Sequence, residues 1–339
     1  MATETFERAS RQLTSIVAAG GLNLSDVDAS LTAAMNRKGS RVTKQIKIIA
    51  LEAADRVMTN RPLTTEHKAA LEGIVIGNGL RPAIDIEKDT FDPLPAIWDD
   101  INGARANMTP LIRSVGRLNV SGHPKISFAG TAFVCGRDLL LTNRHVAEEF
   151  MSAATGSSNL RFKLGMSADV DTKEEVDSAD TRLLKCTGEG AVSTEWDVAL
   201  LRVEGLPAEI EPVPLSSASP NSFSGRTAMT IGYPGFDEAE NLIEQMLIFR
   251  SVFNKKRLLP GKFTDIFAVQ SYGHSVKALA HDCTTLGGSS GSIVIDVATL
   301  KVFGVHFGGE SGVRNYCVPT WNLAEIPAFA DFKNQMSFA

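Results

Sequence analysis

The chain has 339 residues, 43% of them hydrophobic and 22% charged, with a formal net charge of −5 and a pI near 5.8. That length fits two domains of roughly 100–200 residues each, and the apolar fraction is that of an ordinary globular protein with a sizeable core. The mild acidity gives no electrostatic footprint for nucleic acid or for an anionic membrane.

The opening stretch, MATETFERASRQLTSIVAAG, carries scattered charges and no continuous apolar core, so it does not read as a secretory signal. No run of about 18 apolar residues occurs anywhere, so no membrane-spanning helix is expected. Phe6, Leu13, Ile16 and Val17 recur at helical spacing, and Gly20-Gly21 ends that segment. Ser25 caps a second segment with Leu31 and Met35 on its apolar face. A third, over 43–58, carries Ile46, Ile49, Leu51, Val57 and Met58. Pro62 with Thr64, Thr65 and Glu66 opens a fourth that runs to Ile76. Residues 1–80 therefore read as a helical N-terminal domain. Pro82, Pro93, Pro95 and Pro110 interrupt regular structure in the next stretch, so 81–112 reads as a linker.

From 113 to 339 the periodicity changes. Short apolar runs alternate with Gly, Asn, Asp and Pro turns: Ile126–Val134, Leu139–Thr142, Val198–Val203, Ala228–Ile231, Phe267–Val269, Ile293–Ile295 and Val302–Phe307. Many short strands at close spacing predict a mainly β sandwich or barrel. Val318–Phe332, with Leu323, Ile326 and Phe329 on one face, predicts a C-terminal helix. Cys135, Cys186, Cys283 and Cys317 form no C-x-x-C pair, so free buried thiols and a cytoplasmic location are expected. Whether Cys283 and Cys317 are bridged is left open. The acidic stretch DVDTKEEVDSAD at 169–180 lacks the glycine and spacing of a calcium loop and reads as a solvated charged loop. His281-Asp282-Cys283 has no second Cys/His cluster to complete a zinc site, so no metal is expected.

Three segments carry the chemistry. Gly130-Thr131-Ala132-Phe133-Val134 is followed, after a turn, by Leu139-Leu140-Leu141-Thr142-Asn143-Arg144-His145. Trp196-Asp197-Val198-Ala199-Leu200-Leu201 is the second, and Thr284–Ser292, TTLGGSSGS, the third. A serine hydroxyl is a poor nucleophile at neutral pH and needs an adjacent base. A histidine takes its proton and returns it to a leaving amine, and an aspartate orients that histidine and stabilises its cation. The serine loop must also aim backbone N–H groups at a developing oxyanion, a turn that Gly288 and Gly291 permit.

These segments resemble the chymotrypsin-like (trypsin-like) serine peptidases, above all the bacterial glutamyl-endopeptidase and HtrA-like branch. The first is similar to the family's block leading to its histidine, the second to its D-[IV]-A-[LV]-L strand, the third to its G-x-S-G nucleophile loop, and the order His, Asp, Ser is the family's. Ile231-Gly232-Tyr233-Pro234-Gly235 is similar to the opening of its second barrel, and Val302–Gly309 to its S1 strand. The resemblance implies two six-stranded antiparallel β-barrels over 113–339 and a catalytic triad of His145, Asp197 and Ser290. It implies oxyanion donors at the N–H groups of Gly288 and Ser290, and no cofactor. Thr285 and His306 occupy positions where glutamyl endopeptidases hold an acidic P1 side chain, so the S1 pocket is expected there. The implied partners are protein or peptide substrates, and a regulatory protein is expected to act through residues 1–80, as an adaptor or a removable prodomain. Two other readings stay open: a latent peptidase-fold module that binds a partner, and an esterase using the same triad. G-x-S-x-G is formally present at Gly288–Ser292, but without the strand-turn-helix context of an α/β-hydrolase.

Overall fold

The structure is a computed structural model that describes residues 44–59, 82–94, 98–237, 252–310 and 314–339, with isolated positions between them. The chain divides into two compact units, Met1–Ala83 with Phe236–Phe253, and Ile84–Gly235 with Asn254–Ala339. In the first unit, helix α1 (Lys44–Met58) occupies the third expected segment. A Glu52–Arg56 pair one turn apart, at 2.8 Å, lies along it. The other three expected helices lie outside the described residues. Among the described residues, no helix is long and apolar enough to cross a membrane.

The second unit opens with β1 (Ile84–Asp85), α2 (Asp99–Ala104) and α3 (Thr109–Arg113). The first barrel holds β2 (Val115–Ser121), β3 (Phe128–Gly136), β4 (Leu139–Thr142), α4 (Arg144–Phe150), β5 (Met151–Ala153), β6 (Asn159–Phe162), β7 (Ser167–Asp171), β8 (Leu183–Val192) and β9 (Ala199–Glu204). Six of its strands pair in the order β7-β2-β3-β4-β9-β8, and the β7–β8 pairing closes the ring. The second barrel holds β10 (Thr227–Gly232), β11 (Arg257–Ser271), β12 (His274–His281), β13 (Ile293–Asp296), β14 (Lys301–Glu310) and β15 (Arg314–Pro319). Their order is β11-β10-β13-β14-β15-β12, closed by β11–β12, with β1 added outside β11. Closure leaves no free edge within either ring.

The apolar runs are continuous because both faces of the central strands are covered. On β3, Ala132 and Val134 enter the first barrel's core, whereas Phe133 and Cys135 join a larger core that holds residues of both barrels. On β4, Leu140 goes one way and Leu139 and Leu141 the other. Period-two geometry divides each run between two cores. Strand β8 has one solvated face and shows plain alternation.

Residues 81–112 depart from the linker expectation. The prolines do break the stretch, but the pieces between them carry Ile86, Phe91, Trp98, Ile101, Met108, Leu111 and Ile112 into the large core. Asp89, 4% exposed, meets Arg113, Lys173 and Arg182 at 3.1–3.2 Å. Burial opposes its charge, but hydrogen bonds and charge from Arg182 and Lys173 outweigh that and hold the carboxyl well below the usual range. The acidic stretch at 169–180 is correspondingly not a free solvated loop. Asp169 accepts from Asn119, Asp171 from the backbone N–H groups of Lys173 and Arg182, and fully buried Glu175 pairs with Lys173.

The expected C-terminal helix is instead the end of β15 followed by two 3₁₀ turns, Thr320–Glu325 and Pro327–Phe329. Pro327 forces the preceding Ile326 into an extended conformation, with ψ 118°, and splits the segment. Strand β11 is far longer than expected. Pro260 sits within it opposite Met229, and a register shift between Phe263 and Ile266 absorbs the bend. All four cysteines are buried and none is in a disulfide, so Cys283 and Cys317 are unbridged.

Candidate active site

Strand β4 ends at Thr142, and Asn143, fully buried, begins the turn into α4. The short helix places His145 in its first turn with its side chain 44% exposed, while Val146, Ala147 and Phe150 anchor the opposite face in the core. Asp197 stands just before β9. Its carboxylate is 11% exposed, and its backbone carbonyl accepts from Asn143 Nδ2 at 2.8 Å. His145 Nδ1 lies 2.7 Å from Asp197 Oδ2, and the His145 backbone N–H donates to Oδ1 at 3.0 Å. Both carboxylate oxygens therefore face one histidine. The imidazole's other nitrogen is left available as a base.

Ser290 lies in the loop between β12 and β13. Gly288 and Gly291 flank it at φ +85° and +87°, in the region that favours glycine. A side chain at Gly291 would meet the Thr131 carbonyl oxygen at 1.9 Å, so the loop lies against β3. Thr131 holds it at two points: its N–H donates to the Ser290 carbonyl at 2.8 Å and its hydroxyl to the Gly288 carbonyl at 2.9 Å. The Gly235 N–H binds the Gly287 carbonyl at 2.6 Å, and the Gly291 N–H donates to the His306 carbonyl at 2.8 Å. The carbonyls are thus turned inward and anchored. Among the described residues, the N–H groups of Gly288 and Ser290 have no acceptor. The Ser290 carbonyl and the Val146 side chain both crowd Gly130, which sets the Ser290 loop beside the residue following His145.

The S1 candidates have separate surroundings. Thr285 Oγ1 donates to Asn315 Oδ1 at 2.9 Å, and Asn315 Nδ2 donates to the Cys283 carbonyl at 2.6 Å. His306 is 3% exposed, its ring bonds the Tyr316 backbone, and its Nδ1 has no partner. Burial first, then the charge of His145, pushes its pKa down to about 3. The His281 ring lies edge-on 5.4 Å away and is also held neutral by burial. Sequence reasoning misses Thr131, which holds the Ser290 loop, and Asn315, which holds Thr285. Only Thr131 carries a signal, as the second residue of the block leading to His145.

A model of the trypsin-like peptidase domain matches residues 130–305. A probable serine protease of Lysobacter enzymogenes is 30% identical over 286 residues, spanning 76% of this chain and 74% of that protein. This chain belongs to the trypsin-like peptidase family. It is a serine endopeptidase with that family's two-barrel architecture. Among solved structures, the active form of the Rv3671c protease from M. tuberculosis matches 74% of this chain and 91% of its own, with 19% identity and a TM-score of 0.46. Deg5 matches 73% and 100%, with 18% identity and a TM-score of 0.47. No group of three or more His, Cys, Asp or Glu side chains able to hold a metal occurs among the described residues of this peptidase.

Proposed function

We propose that this endopeptidase cleaves peptide bonds through an acyl-enzyme formed on Ser290, with His145 as base and acid and Asp197 as its orienting anion. The observation that carries the reading is the pairing of both Asp197 oxygens with His145 beside a glycine-flanked serine. His145 Nε2 takes the Ser290 proton as Oγ attacks the scissile carbonyl. The oxyanion accepts from the N–H groups of Gly288 and Ser290, which have no other acceptor among the described residues. The imidazolium then protonates the leaving amine, and water repeats the sequence to release the acid.

The S1 pocket is proposed to favour an acidic P1 residue. His306 Nδ1 is buried without a partner and burial holds the ring neutral, so a P1 carboxylate would bring in a proton as it docks. The sign follows: an ionised glutamate and a neutral histidine combine with uptake of one proton, which becomes harder as pH rises. The ratio of kcat/KM for Glu over Gln substrates is expected to fall by up to about ten-fold per pH unit above about pH 5. His306→Ala should abolish both the preference and its pH dependence. Equal cleavage after Glu, Phe and Arg in a peptide library would sink the acidic preference.

Residues 1–80 are proposed to regulate the enzyme as an adaptor for a protein partner. The unit that contains them also contains Phe236–Phe253. That segment leaves the peptidase unit at Gly235, whose N–H holds the Gly287 carbonyl of the nucleophile loop. It returns at Asn254, whose N–H binds the Pro234 carbonyl at 2.8 Å. Movement of the segment would therefore pull directly on the residues that anchor the nucleophile loop. The removable-prodomain alternative is disfavoured because 84–112 is built into the peptidase core. Wild type and Ser290→Ala should show the same intact mass, apart from the substituted oxygen. A wild type shortened from its N-terminus, beside a full-length mutant, would support the prodomain.

A further inference from the structure

We propose that Asn143, the residue that opens α4, is a positioning residue that holds the Asp197 backbone so that its carboxylate meets His145. The inference rests on the triad reading of His145, Asp197 and Ser290. Strands β4 and β9 pair as far as Thr142 and Ala199, so the ladder stops short of Asp197. The Asn143 side chain takes over where the ladder ends. It is fully buried, and its Nδ2 donates to the Asp197 backbone carbonyl at 2.8 Å. A carbonyl only accepts, so this bond also fixes which way the amide faces. Arg144 beside it donates to the carbonyls of Ser193 and Thr194 at 3.1 and 3.3 Å. Residues 143, 144 and 145 thus grip in succession the segment that delivers Asp197.

The departure from ordinary helix capping points to a role beyond local structure. Asn143 stands at the N-cap of α4 with an extended backbone, φ −80° and ψ 155°. Its carbonyl accepts the first helical bond, from the Ala147 N–H at 3.0 Å. An asparagine in that position ordinarily turns its side-chain oxygen onto the N–H of the second or third helical residue. This one makes no such bond. The second helical residue is His145, and its N–H goes to Asp197 Oδ1 at 3.0 Å instead. The roles are exchanged. The Asp197 carboxylate caps the helix, and the asparagine suited to cap it holds the Asp197 peptide. Asn143 Oδ1 is left buried with no partner among the described residues, a cost that a capping role would not incur. A residue that breaks its local rule in this way is better explained by what it holds than by the helix it opens.

The test is steady-state kinetics of the full chain with Asn143→Ser and Asn143→Ala on a peptide substrate, with kcat taken per titrated active site. Serine caps a helix well, but its side chain is one atom too short to reach the Asp197 carbonyl. Alanine can do neither. Both should lower kcat by about five- to ten-fold with KM little changed, although only alanine loses the means to cap. A capping role would instead leave serine with wild-type activity and penalise alanine alone. The second arm places Asn143→Ser in an Asp197→Ala background, where no carboxylate remains to be aimed. There it should change kcat by less than about two-fold. Wild-type kcat in Asn143→Ser would overturn the proposal, as would a loss confined to stability or to KM, or failure of both variants to fold. A loss in Asp197→Ala as large as in wild type would also overturn it, because Asn143 would then act through something other than Asp197. Absence of Ser290-dependent hydrolysis in the wild type would overturn the triad reading and this inference with it. A wild type that hydrolyses and an Asn143→Ser variant that matches it overturn the inference alone.

Discussion

Asp197→Asn is expected to lower kcat by about 10⁴-fold while leaving the fold and KM nearly intact. The carboxylate accepts twice from His145, through the ring at 2.7 Å and the backbone at 3.0 Å. An amide has one acceptor oxygen. If the oxygen keeps the backbone N–H, the amide NH₂ faces Nδ1 and makes it an acceptor, which places the ring proton on Nε2. That nitrogen then points a hydrogen at Ser290 where a lone pair is needed. The imidazolium also loses its counter-charge in a site where Asp197 is largely withdrawn from water. Single-turnover kinetics on an ester and a peptide would check this. A loss of only a few-fold would mean that His145 is oriented by something other than Asp197.

Trp98→Ala is expected to cost about 3–5 kcal/mol of stability, a large share of the roughly 5–15 kcal/mol that a typical domain has. Trp98 is 2% exposed and, among the described residues, one of the largest fully buried side chains. It sits in the same core as Ile231, Ile293 and Val305 of the second barrel, so truncation leaves a void between elements that cannot close over it. Denaturant melts of wild type and variant measure the difference. A change below about 1 kcal/mol would mean that the stretch around Trp98 peels away from the barrels as a linker would.

The candidate site is legible in the sequence because its residues are written locally. A histidine after a buried strand, an aspartate before another and a serine between glycines each show in a few consecutive residues, and the structure sets His145 on Asp197 and the Ser290 loop on β3. Runs such as Leu139–Thr142 are legible as strands for the same local reason. The features that escape depend on distant partners. Ile84 pairs with Leu258, and Asp89 with Lys173 and Arg182, so nothing near Pro82 or Pro93 announces that this stretch is core. Nothing in the sequence around Tyr272 announces that its ring lies against Arg144. Thr285 and His306 read in the sequence as one carboxylate site, yet Thr285 is already engaged by Asn315, which register places opposite Gly309 and His281.

The most direct measurement is covalent labelling of the full chain with a fluorophosphonate probe, comparing wild type with Ser290→Ala. A phosphonylated Ser290 requires an activated hydroxyl, a competent base and an oxyanion site together. The triad reading predicts stoichiometric labelling of wild type, mapped to Ser290 by peptide mass, and none in the mutant. A well-folded wild type that stays unlabelled, or equal labelling of both proteins, would contradict it.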